Sequence, residues 1–212
     1  MLLRRFSDLW RCCCLARFGV GFWSRSVMLP AEGFELAAHE VGHAVVAHIF
    51  GAKVSEIRVN PQTRNGGMDL EDAFPAEKWR EDLLISIAGE VAQRKITDRP
   101  EALVDGRGHC SWAHDSTRAA ALISAHLNAA HADASADSDE PFYQLLENAY
   151  RAVESLLHDY YVWGAVLVAS DELINKAWKL SGEEFRAVVS PLLDDRRETL
   201  IRSLKLERLT LS

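Results

Sequence analysis

Between Gly33 and Phe50 the chain reads GFELAAHEVGHAVVAHIF, small and apolar residues with few polar interruptions. That composition predicts a helix, and Gly51 is placed to end it. The period then shortens. Val54, Ile57 and Val59 alternate roughly within AKVSEIRVN, and Pro61 with RNGG supplies turn chemistry before the short run MDL. This predicts a small β-ribbon, Val54–Asn60 with Gly66–Leu70. Pro75 stands at the first position of a second predicted helix, whose apolar positions Leu83, Leu84, Ile87 and Val91 recur at helical spacing. A loop with Pro100, Gly106 and Gly108 follows, and a third helix is predicted from about Asp115. HADASADSDE is small and acidic and predicts an exposed linker. Residues 142–178 predict one long helix or two, and Ser181 with Glu184 forms a capping-box pattern before a last short helix.

The first helix carries chemistry. His39-Glu40-Val41-Gly42-His43 is the H-E-x-x-H pattern. Histidines four apart lie about one helical turn from each other on one face, so both imidazoles can reach one metal ion. Glu40 is then close enough to take the proton of a metal-activated water. Gly42 costs on the order of 1 kcal/mol against alanine inside a helix, and close approach of another backbone would explain it. A catalytic zinc takes three protein ligands and keeps a fourth position open. Candidates for the third are His109, Cys110, His114 and Asp115, and their chemistry alone does not choose among them. An Asp115 opening a helix would also serve as an N-cap. His48 falls two and a half turns from His39, which predicts a packing or surface role. His126, His131 and His158 read as exposed, Cys110 as an idle thiol, and the six tryptophans as core and interface residues.

Composition bounds these readings. The chain has 212 residues, 48% hydrophobic and 26% charged, which suits a folded domain with a core. Its net charge of −7 argues against a nucleic-acid partner. Residues 1–30 carry five arginines against one acid and are +4, leaving −11 for the rest. An amphipathic surface anchor bearing Cys12, Cys13 and Cys14, a transit-like peptide and a secretory signal compete for this segment. Arg17 breaks the apolar run a signal needs. The reading adopted is a basic, poorly ordered leader with a start at Met28, and membrane association through residues 1–30 is the lesser alternative. The domain then spans residues 31–212. Its one cysteine, Cys110, suits a reducing, cytoplasmic location.

AAHEVGHAVVAHIFGAKVSEIRVNP resembles the zinc-site helix and following strand of the FtsH-type zinc proteases, peptidase family M41. SIAGEVAQ is similar to that family's second-helix motif, L-G-G-R-x-A-E. GRGHCSWAHDSTRAAALI resembles the segment whose aspartate is the third zinc ligand, and that aspartate falls on Asp115. The C-terminal helices and LSGEEF are also similar, so the likeness spans about residues 33–190. Glu90 stands where the family has Arg, Gln93 where it has Glu, and His114 where it has Asn. No G-x-x-x-x-G-K-[ST] pattern occurs, so an AAA+ module is not expected.

The resemblance implies a mainly α, zincin-like helical metalloprotease domain with a small β-ribbon after the H-E-x-x-H helix. Zn2+ is held by His39, His43 and Asp115, with Glu40 as general base. Gln93 and His114 lie behind the ligands. The ribbon offers Gly67, Met68 and Asp69 to an extended peptide. The activity implied is hydrolysis of peptide bonds in flexible or unfolded segments, with a separate ATPase or adaptor as a candidate partner and a homo-oligomer compatible. The alternative is a protease-derived binding or regulatory protein that keeps the metal without turnover. The intact Glu40 favours the enzyme, and the altered second motif favours the alternative.

Overall fold

The computed structural model describes residues 31–97, 110–130, 140–206 and 209. The leader, the loop with Pro100, Gly106 and Gly108, His109, His131 and nearly all of the acidic linker lie outside these residues. The fold is mainly α. Helix α1 (Ala31–Ile49) is followed by strands β1 (Val54–Asn60) and β2 (Asn65–Leu70), a 3-10 turn (Ala76–Lys78) and α2 (Trp79–Thr97). Then come α3 (Cys110–Ala130), α4 (Glu140–His158), α5 (Tyr160–Asn175), β3 (Lys179–Ser181), α6 (Gly182–Leu193) and α7 (Arg197–Leu204).

Helix α1 is the centre. Leu36, Val41, Val45, Val46 and Ile49 are buried, and the helix packs against α2, α5 and the sheet. A helix apolar on all sides belongs inside a core, and this one does. Gly42 lets α2 come close. A Cβ there would lie 2.7 Å from the Ala92 methyl and 2.9 Å from the Ala88 carbonyl oxygen. The sequence-based reading of that glycine holds.

Several expectations are corrected. The ribbon is part of a three-stranded antiparallel sheet, order β2-β1-β3, in which Ile57 pairs with Met68 on one side and Leu180 on the other. Three residues are too few to display an alternating period, so β3 leaves no pattern. Pro75 precedes a 3-10 turn, and α2 proper begins at Trp79. Of the two alternatives for the long C-terminal stretch, the two-helix one holds: it divides at Asp159, whose carboxylate accepts from the Tyr161 and Val162 amides and caps α5. The Ser181–Glu184 capping box is present, but α6 is followed by a further helix, α7. Among the described residues no helix is long and apolar enough to cross a membrane.

Candidate metal centre

Two helices bring the candidate ligands together. His39 and His43 project from the same face of α1, and Asp115 reaches them from α3. Asp115 Oδ2 lies 2.9 Å from His39 Nε2 and 3.2 Å from His43 Nε2, and the two Nε2 atoms are 3.2 Å apart. Among the described residues these three form the metal-compatible cluster. His39 and His43 are buried, and Asp115 is half-buried.

The far side of each imidazole is held by α2. His39 Nδ1 donates to the Gln93 side-chain carbonyl at 3.1 Å. His43 Nδ1 donates to the Ile85 carbonyl at 2.6 Å, a bond we favour over the longer approach of the Gly89 amide to the same nitrogen at 3.3 Å. With Nδ1 protonated on both rings, the Nε2 lone pairs and a carboxylate oxygen face one another. Three acceptors at that spacing repel unless a cation or proton sits among them. Zinc bonds to nitrogen and oxygen run about 2.0–2.1 Å, so the edge of a zinc tetrahedron is about 3.3–3.4 Å. The observed triangle is close to that edge, and the donor set of two imidazoles and a carboxylate fits zinc.

The electrostatics follow. Burial works to lower the His43 pKa, but Asp115, Glu40 and the Ile85 carbonyl override it and push it up to about 9. Burial works to raise the Asp115 carboxyl, and the two histidines that face it instead hold it well below the usual carboxylate range. Glu40, buried beside the cluster, is pushed up by burial against the pull of the histidines. It does not join the triangle. Its carboxylate lies under β2, where a Cβ on Gly66 would come within 2.5 Å of Glu40 Oε1.

The remaining candidates divide. Gln93 is buried and bonded to His39, as a hydrogen-bond acceptor there requires. His114 is exposed and outside the triangle. Asp115 is not an N-cap, because α3 begins five residues earlier, at Cys110, where no residue after Gly108 breaks the helix. Met68 packs against the core, whereas Asp69 is exposed and paired with Arg58 and Gly67 lies opposite Arg58, so the three do not share a face. His48 is buried and donates to Asp194 at 2.8 Å. His126 is not simply exposed, since its ring stacks on Trp79. Glu90 is buried between Arg94 and the Tyr150 hydroxyl. Gly66, Ile85 and Gly89 escaped the sequence reading. The alternation of Ile85, Gly89 and Gln93 at four-residue spacing on α2 was the available signal.

A family model described as Peptidase M50B-like matches residues 12–89. The match takes in all of α1, the β1–β2 hairpin and the first half of α2, and supports a metallopeptidase domain. The matched family is not the FtsH-type family, and the match ends before Asp115. No curated protein matches the chain.

Proposed function

We propose that this chain is a zinc-dependent metalloendopeptidase acting on flexible or unfolded polypeptide segments. The observation that carries the reading is the convergence of His39 Nε2, His43 Nε2 and Asp115 Oδ2 with the buried Glu40 carboxylate beside them. When bound, zinc supplies an acidified water and polarises the scissile carbonyl. His39 and His43 would hold it through Nε2, their rings fixed by Gln93 and Ile85, and Asp115 would close the set. Glu40 takes the proton of the attacking water and returns it to the leaving amine nitrogen. Its burial raises its proton affinity toward the range a general base needs at neutral pH.

The narrower kinship with the FtsH-type proteases is supported by Asp115 meeting the histidines from a position 72 residues beyond His43. The substrate lies along β2, the outer strand of the sheet, whose Gly66 backbone runs over Glu40. Unfolded segments are the favoured substrate because an edge strand such as β2 pairs with an extended chain, and a separate ATPase or adaptor would deliver folded targets. The lone cysteine of residues 31–212 supports a cytoplasmic location. The second reading, a metal-retaining binding protein, rests on Gln93 in place of a charged partner for His39.

The test compares one substrate protein folded and unfolded, with products sequenced by mass spectrometry. Internal cuts in the unfolded form alone, lost to a chelator and restored by zinc, are expected. Intact substrate in both forms with zinc-loaded protein would overturn the endopeptidase reading.

A further inference from the structure

Of the three clustered side chains, Asp115 alone comes from α3, so the placement of α3 along α2 decides whether its carboxylate reaches the histidines. Two imidazoles are anchored to α2 at Gln93 and Ile85. Moving away from Asp115 along α3, Arg118 Nη2 donates to both carboxylate oxygens of Asp82 on α2, at 2.8 and 3.0 Å. Two turns further, the His126 ring stacks on Trp79, centroids 4.0 Å apart and planes within 21°. The residues met on α3 ascend, 115, 118, 126, while those on α2 descend toward 82 and 79. The two helices therefore run antiparallel.

Between these contacts the interface is apolar, with Ala119 and Ile123 buried. Apolar surfaces are non-directional and permit sliding. A guanidinium on a carboxylate is directional and fixes a register. Asp82 lies in the first turn of α2, one turn before the Ile85 carbonyl that orients His43, and Arg118 lies one turn after Asp115. The pair thus ties the helix that orients a histidine to the helix that carries the carboxylate.

We propose that Asp82 and Arg118 are positioning residues that set the register of α3 on α2 and so hold Asp115 at the metal centre. This rests on the metal reading above. It assigns function to a surface ion pair that stability alone would leave worth little.

The test titrates full-length, metal-free protein with Co2+ alone, reading affinity and the ligand-field spectrum, whose intensity reports coordination geometry. Arg118→Gln and Asp82→Asn should each weaken binding about three- to tenfold and alter the spectrum, with unchanged helical circular dichroism of the metal-free protein. The charge-swapped double variant, Asp82→Arg with Arg118→Asp, should recover most of the affinity. Wild-type affinity and spectrum in both single variants would overturn the proposal, as would failure of the swap to recover. The metal reading fails separately, if the wild type binds no Co2+ or if His39→Ala binds it as tightly.

Discussion

A methyl group at position 89 would lie 2.2 Å from His43 Nε2, so this ring occupies the space a side chain would need. Gly→Ala within a helix ordinarily gains about 1 kcal/mol. Here the sign should reverse. Gly89→Ala is expected to displace His43, lose zinc and destabilise the protein by about 1–3 kcal/mol through overpacking. Urea unfolding with zinc analysis checks it, and a more stable, zinc-replete variant would contradict the geometry. At this scale the sequence was most legible where chemistry imposes spacing. The interval between His39 and His43 placed both on one face because helical geometry leaves no alternative, and Gln93 proved able to accept from His39 as its amide chemistry allows. Asp115 was one of four candidates on residue chemistry, and nothing in the spacing chose it, because a side chain from a distant helix obeys no local period. The Ile85 carbonyl carries no signal of its own, since every residue has one, and only its four-residue spacing to Gly89 and Gln93 marks its place.

Strands and helices were readable where they are long and internally periodic. The bounds of β1 match expectation, and the Ser181 capping box is local chemistry. Strand β3 was hidden because its pairing with β1 is a tertiary contact made by three residues. The start of α3 was misplaced because Asp115 has the residue type of a cap but lies inside the helix, beside the two histidines. The order β2-β1-β3 gives β1 partners on both sides and leaves β2 and β3 at the edges, β2 being the one that passes Glu40. If β2 receives substrate, Met68→Pro, in the strand whose Gly66 covers Glu40, should lower turnover of an unfolded substrate at least tenfold while bound zinc stays unchanged. Equal turnover with equal zinc would remove the docking role.

In the whole molecule, α1 joins the metal centre at its middle to the C-terminal helices at its end. There His48 donates to Asp194, and Arg197 Nε donates to the Ile49 carbonyl at 3.3 Å. Burial lowers the His48 pKa, with Arg197 and Arg186 acting the same way against Asp194. The unfolded chain, with His48 near pKa 6.5, then binds more protons than the folded one below that value. The stabilisation is full above about pH 6.5 and is lost as pH falls below it. His43, pushed up to about 9 in metal-free protein, acts in the opposite sense over the same range, so the His48 contribution is read as a difference: wild type should lose more urea midpoint between pH 7.5 and 5.5 than His48→Gln, which does not titrate. Identical losses would exclude His48 as the source. The likeness to a metallopeptidase model over residues 12–89 reaches the helix with Glu40 and the two histidines, and Asp115 comes to them from α3 beyond it. The most direct measurement loads wild type and Glu40→Gln with zinc and follows cleavage of one unfolded protein by both. Equal zinc with cleavage at least a hundredfold slower in Glu40→Gln is expected of a general base. Equal zinc with equal cleavage would contradict the central claim that Glu40 turns this metal centre into a peptidase.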